Sequence, residues 1–225
     1  HERNDDSFDL RSVALEVGGA SRGAGVSQRV KVWVVGVGVK KKVGPAGRRA
    51  AAHHPVVATN GVDGIPSLRV MILRHVDWAE RRLRFHTDVR STKMEQLASN
   101  SATSVLIYDP EPKIQLRLSG SAIVHREGAA VDAAWHQSTN FARRCYLAEQ
   151  APGVTVKQPT SGLPEWVEGR QPDDAEIAPA RDNFAILLFT FDRIEWLYLA
   201  NSGHRRARWQ WESATTDWRG NWLAP

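Results

Sequence analysis

The sequence predicts a mainly β fold, a β-barrel with helical additions, and three observations lead there. Short runs with alternating side chains recur from Pro55 onward, turn residues punctuate them, and only two stretches carry helical patterning. With 225 residues and 42% hydrophobic content, the chain is long enough to bury a full core and reads as one domain over residues 51–225.

The elements follow in order. PVVATN (55–60) reads as a strand, and GVDG (61–64) as a tight turn in which glycine supplies a positive φ. SLRVMILRHV (67–76) and RRLRFHT (81–87) alternate as antiparallel strands do, with Leu68, Val70 and Ile72 on one face and Arg69, Met71 and Leu73 on the other. A short helix starts at Ser91, where Thr92 and Glu95 have capping-box spacing. SATSVLIYD (101–109) and KIQLRLSGSAIVH (113–125) form a hairpin around Pro110 and Pro112. Residues 127–150 read as helical, with Val131, Ala134, Trp135 and Phe141 on an apolar stripe. Residues 151–180 hold five of the eleven prolines, which argues for a long loop. NFAILLFTFDRIEWLYLA (183–200) gives two strands, GHRRARWQW (203–211) a third, and DWRGNWLAP (217–225) closes the barrel edge.

Residues 1–50 differ from the rest: GGASRGAG (18–25), VWVVGVGV (32–39) and KKK (40–42) mix low-complexity glycine with a basic run. This segment is expected to be poorly ordered or a non-native start, since the chain opens on His1, and it lacks the pattern of a secretion signal.

The net charge of +5 sits in that same segment, which holds ten Lys/Arg against five Asp/Glu, while residues 51–225 hold twenty of each. The body is neutral, so a nucleic-acid partner is not expected. No apolar run reaches the ~20 residues that span a bilayer. The single cysteine, Cys145, excludes an intrachain disulfide framework, points to a reducing compartment and hence the cytoplasm, and reads as a small buried or half-buried thiol. The histidines lack HExxH or Cys/His spacing, so no metal site is expected; P-loop, G-x-S-x-G and G-x-G-x-x-G motifs are missing too.

The most informative stretch is Ser67–Gly120. Its strings SLRVMILR (67–74), LRFHTDVRSTK (83–93), SVLIYDP (104–110) and QLRLSGSA (115–122), followed by RIEWLYL (193–199), HRRARW (204–209) and WLAP (222–225), stand in one order and spacing. In that order they resemble the pyridoxamine 5'-phosphate oxidase-like family of FMN-binding split barrels, over roughly Pro55–Pro225. The resemblance implies an FMN-dependent oxidoreductase and a homodimer, with a small-molecule substrate such as a phosphorylated B6 vitamer. The alternatives are a related flavin reductase with another substrate and a non-catalytic flavin or haem carrier.

The resemblance also implies a site. Arg69, Val70, Met71, Ile72 and Arg74 match the family's flavin-contacting strand, and Arg74 meets substrate as well. Arginine offers the planar fork that phosphate needs, yet five positions separate Arg69 from Arg74, so both reach one ligand only if the strand bulges or twists. His86, Thr87, Arg90, Ser91 and Lys93 surround a strand end and a helix start where the flavin phosphate is expected. The family has a basic pair after the serine; here that pair is Thr92-Lys93, and Arg90 is the candidate replacement for the missing cation. Gln115 and Gln150 match flavin-contacting glutamines, and Tyr146 stands where the family has a tryptophan. Trp196, with Tyr198 as an alternative, supplies an aromatic contact, and Arg208 lies near the flavin ring. Arg143, His204 and Arg206 are the further substrate-binding candidates; the family's Arg-x-His pair appears here in reversed order. No residue is singled out as catalytic, because the cofactor carries the chemistry.

Overall fold

The structure is a computed structural model describing residues 51–225; the atypical segment at 1–50 and its expected disorder lie outside the described residues. Nine strands and four short helices make up the described chain, with strand order β2-β1-β5-β6-β7-β4-β3, β8 on β7 and β9 on β8. Here β1 is Val56–Asn60, β2 Pro66–Val70, β3 Leu73–Asp77, β4 Arg82–Asp88, β5 Ala102–Asp109, β6 Ile114–His125, β7 Phe184–Tyr198, β8 Arg205–Glu212 and β9 Asp217–Leu223. The mainly β expectation holds. The last strand, however, pairs only β8, so it ends the hydrogen-bonded path where barrel closure was expected.

The described residues divide into two compact units. The first comprises His54–Val105 and Ser119–Phe191; the second contains Leu106–Leu118 and Asp192–Pro225, together with residues 51–53.

Within the first unit, β1 and β2 form a hairpin with Val57 opposite Arg69 and Thr59 opposite Ser67. Its turn is closed by Gly61 N donating to Ile65 O at 2.9 Å, and Gly64 takes the expected positive φ of 81°. The run 67–76 does not make one strand. Met71 and Ile72 fall between β2 and β3, and the pairing of β3 with β4 shifts between Leu73 and His75. This break changes the side-chain phase between Arg69 and Arg74, and it buries Met71 and Leu73 while Leu68 and Val70 stay 62% exposed.

Helix α1, Lys93–Ser99, begins without the capping box. Thr92 has helical dihedrals and makes no side-chain cap; Ser91 Oγ instead donates to Asp88 O at 2.8 Å and closes the turn from β4. Residues 127–150 form α2 (Ala129–Gln137), α3 (Asn140–Arg143) and a 3₁₀ turn at Arg144–Leu147. Val131, Ala134 and Trp135 are buried as expected, but the interruption after α2 changes the helical phase and leaves Phe141 51% exposed. Trp135 and Tyr146 pack edge-on against Phe184, at 5.2 and 5.1 Å between ring centroids, in a core that includes Ile177, Ala180 and Ile186. The long loop carries one helical turn, α4 at Asp174–Ile177, closed by a capping box between Asp173 and Glu176.

Strand β7 is a single strand of 15 residues where two were expected, because no turn residue interrupts its backbone ladders. In the first unit its Phe184–Thr190 segment pairs β4. In the second unit its Arg193–Tyr198 segment pairs β8, which in turn pairs β9.

Candidate functional site

A cavity of about 350 Å³ opens in the first unit between the β2–β3 break, the end of β4, the start of α1 and the turn after α3. It brings together eight of the expected residues: Arg69, Val70, Met71, Ile72 and Arg74 from the first wall, His86 and Thr87 from β4, and Lys93 from α1. Asp88, Ala142, Cys145, Tyr146 and Pro152 complete the lining.

One end is cationic and rich in hydroxyls. Lys93 Nζ donates to Thr87 Oγ1 at 3.0 Å and to Ser91 Oγ at 2.8 Å. Thr87 is 3% and Ser91 6% exposed, so the ammonium group is drawn into a sheltered polar corner. Burial, reinforced by the positive charge of Arg69, lowers the Lys93 pKa to about 8, with Asp88 opposing the shift. Arg69 spreads its guanidinium over neutral acceptors: Thr59 Oγ1 at 2.6 Å, Ser67 Oγ at 2.7 Å, Gln96 Oε1 at 3.1 Å and the Val57 carbonyl at 3.3 Å. Among the described residues, the hydrogen bonds of Lys93 and Arg69 run to hydroxyl, amide and carbonyl oxygens, while the nearby Asp88 carboxylate is taken by Arg90.

The other end holds Arg74 and His86. Arg74 Nε and His86 Nε2 are buried without hydrogen-bond partners among the described residues, as is Arg84 Nε beside them. Burial first, then the nearby charges of Arg74 and Arg84, lowers the His86 pKa to about 3, so its imidazole is neutral at ordinary pH. Its ring packs edge-on against Phe184 at 4.9 Å, which fixes its orientation. Tyr146 is buried and its hydroxyl pKa is pushed up by desolvation, so it too is neutral.

Several expected residues take other positions. Arg90 is bound to Asp88 and to the Ala148 carbonyl at 2.8 Å. Arg143 is buried, donates to Trp135 O at 2.9 Å and Asn140 Oδ1 at 3.0 Å, and lies 4.7 Å over the Trp135 ring; it is used within the helical layer. Gln150 is exposed and outside the cavity lining. Cys145, read from sequence as buried or half-buried, is exposed at the cavity. Thr59, Ser67 and Gln96 were missed from sequence because a hydroxyl or amide that holds Arg69 has no local motif.

Gln115, Trp196, His204, Arg206 and Arg208 belong to the second unit. There Glu195, on β7, is enclosed by arginines: Arg206 Nη2 at 2.7 Å, Arg208 Nη2 at 3.0 Å, and Arg117 in close contact. Burial alone would raise its carboxyl pKa, but the hydrogen bond from Arg206 and the charge of Arg117 prevail and bring it to about 2. Arg206 and Arg208 thus both contact one carboxylate, a residue whose only sequence signal was an acid within the apolar run RIEWLYL.

Among the described residues, no group of three or more His, Cys, Asp or Glu is placed to hold a metal, and no helix is long and apolar enough to cross a membrane.

Residues 39–126 match the family model described as the pyridoxamine 5'-phosphate oxidase FMN-binding domain. A pyridoxine/pyridoxamine 5'-phosphate oxidase of Thermosynechococcus vestitus is 33% identical over 88 residues, 39% of this chain and 40% of that protein. One from Chromobacterium violaceum is 27% identical over 142 residues, 62% of this chain and 63% of that protein. The matches thus span less than two thirds of these curated relatives, 40% of one and 63% of the other. In structure, a pyridoxamine 5'-phosphate oxidase-related FMN-binding protein from Nostoc punctiforme superimposes with a TM-score of 0.67 at 20% identity, over 91% of this chain and all of that one. PhzG from Burkholderia lata, solved with tetrahydrophenazine-1-carboxylic acid, gives 0.64 at 21% identity, over 88% of this chain and 91% of that one. Residues 39–126 therefore match the FMN-binding domain model of the pyridoxamine 5'-phosphate oxidase family, and the described residues share the fold of these two solved structures.

Proposed function

We propose that the chain is an FMN-dependent oxidoreductase acting on a small anionic substrate, with a phosphorylated B6 vitamer as the first candidate. The observation that carries this reading is the cavity's two ends: Arg69 and Lys93, held by hydroxyl and amide oxygens, at one, and Arg74 and His86 with buried nitrogens unpartnered among the described residues at the other. FMN presents a phosphate dianion and a flat polar ring, and the residues fit those groups. Lys93 and Arg69 would hold the phosphate through charge, with Thr87 and Ser91 accepting from the Lys93 ammonium and fixing it in one corner. The backbone and side chains of Val70, Met71 and Ile72 would flank the ring.

FMN held by these residues would supply two-electron redox chemistry. The protein's part is to bind and orient. Arg74 supplies a fixed cation for the substrate's anionic group, and neutral His86 beside it offers a hydrogen bond without adding charge. Gln115, Trp196 and Arg208 are assigned to the ring, and His204 and Arg206 to substrate, on the family resemblance. A homodimer agrees with the apolar face that β2 leaves exposed through Leu68 and Val70.

The experiment is an air-free titration of the FMN-loaded protein with pyridoxamine 5'-phosphate and pyridoxine 5'-phosphate, followed by absorbance. Bleaching of the flavin bands, reversed by oxygen, supports the oxidase. Flavin bands that persist with both substrates reject the B6 reaction and leave another anionic substrate for the same site.

A further inference from the structure

We propose that Arg90 is a positioning residue: paired with Asp88, it clasps the turn after α3 and so holds one wall of the flavin cavity, instead of binding the phosphate itself. The inference rests on the flavin reading of that cavity. Asp88 closes β4 and is only 8% exposed. Its carboxylate receives Arg90 as a fork, Nε on Oδ1 at 3.0 Å and Nη2 on Oδ2 at 2.7 Å, and Oδ1 also accepts the Arg90 backbone N–H at 2.8 Å. The remaining nitrogen, Nη1, reaches across 58 positions of sequence to the Ala148 carbonyl at 2.8 Å.

Each of the three guanidinium nitrogens is therefore committed to a protein oxygen, and the charge is matched by Asp88 at contact distance. A cation neutralised in this way adds little to the field at Lys93, whereas the Arg90–Ala148 bond fixes the stretch between Tyr146 and Pro152, both of which line the cavity. A second tether acts on the same stretch. Asn183 Nδ2 donates to Tyr146 O at 2.9 Å, and Asn183 O accepts from Val89 N at 2.9 Å, so the residue adjoining Arg90 is tied to the same wall. The end of β4 thus grips the turn twice, from Arg90 directly and from Val89 through Asn183.

A phosphate ligand and a wall clasp differ in their response to riboflavin, which has the ring and lacks the phosphate. We would measure FMN and riboflavin binding by fluorescence quenching in the full chain and in Arg90→Ala, Arg90→Lys and Asn183→Ala. Loss of a charge-assisted bond at the wall weakens both flavins by the same factor, about tenfold or more in Arg90→Ala. Arg90→Lys keeps the charge but cannot form the fork, so it stays close to Arg90→Ala; Asn183→Ala weakens both flavins equally as well. The inference is overturned if Arg90→Ala lowers FMN binding and spares riboflavin, or if Arg90→Lys restores FMN binding, since either result makes Arg90 a phosphate cation. It is also overturned if Arg90→Ala binds both flavins as the wild type does. Wild-type protein that takes up neither flavin defeats the flavin reading itself, a result distinct from these.

Discussion

Raising the pH from 7 to 9 should weaken FMN binding about tenfold while leaving riboflavin binding nearly unchanged. The perturbation acts on Lys93, whose pKa is lowered to about 8 by burial and by Arg69. With that value the ammonium form is about nine-tenths populated at pH 7 and about one-tenth at pH 9. A phosphate ester is already dianionic above its second pKa near ~6, so its charge is constant across this range. The sign is fixed by linkage: the bound phosphate favours protonated Lys93, binding takes up a proton above pH 8, and affinity falls as pH rises. His86, with its pKa near 3, and Tyr146, pushed upward, do not titrate in the lower part of this window. Riboflavin reports any other group, because a change common to both flavins cancels in their ratio. The assay is fluorescence-quenching titration of both flavins at four or five pH values, repeated in Lys93→Met. The variant should lose about 1.5–3 kcal/mol of FMN binding, the usual worth of a hydrogen bond to a charged group, and its FMN-to-riboflavin ratio should be flat with pH. A wild-type ratio that is already flat from pH 7 to 9 would refute the placement of Lys93 at the phosphate.

Other predictions concern the frame around the site. Gly120→Ala should destabilise by about 3 kcal/mol or more, because its Cβ would stand 2.0 Å from Thr190 O and 2.8 Å from Phe191 Cα, both backbone atoms; a melting temperature within a degree of wild type would contradict that close approach. Phe184→Ala removes a fully buried ring from the contacts with Trp135, Tyr146 and His86 and should cost roughly 3–5 kcal/mol in denaturant unfolding. Glu195→Gln should cost about 1–3 kcal/mol, less than a deep ion pair, since Arg117 and Arg208 keep nearly half of their side-chain surface in water. Because the folded Glu195 carboxyl titrates near 2 against an ordinary 4.5, its stabilisation is present above pH 4.5 and is lost as pH falls towards 2; the variant's acid-unfolding profile should lack that component.

Strand alternation and turn chemistry made most of the fold legible in the sequence. The hairpin at 56–70 follows from PVVATN and the glycine turn, and β4, β5, β6 and β8 fall where alternating runs end in turn residues. The errors have a common origin in contacts that local pattern does not carry. SLRVMILRHV has no breaker, yet Met71 and Ile72 leave the ladder because β3 pairs with β4 in a shifted register. NFAILLFTFDRIEWLYL looked like two strands by length, but partners on successive segments hold it as one. Phe141 lost its place in the apolar stripe when the helix broke before Asn140.

The candidate site was legible as residue types. Arg69, Arg74, Thr87 and Lys93 could be marked because charged or hydroxyl side chains interrupt apolar strands there. Their partners could not be marked. Arg90 and Lys93 look alike in DVRSTK, and only the positions of their partners separate an arginine matched by the Asp88 carboxylate from a lysine held by two hydroxyls. Nothing local to Arg143 in the sequence signals the Trp135 ring and carbonyl that lie beside it.

The central claim is that this cavity takes up FMN, and the most direct test is a titration of FMN with the flavin-free full chain, followed by fluorescence and by the absorbance of the washed protein. The account predicts saturable quenching and a protein that stays yellow after washing, with riboflavin held more weakly and Lys93→Met losing that preference for FMN. Protein that remains colourless and leaves FMN fluorescence unchanged at every pH would contradict it.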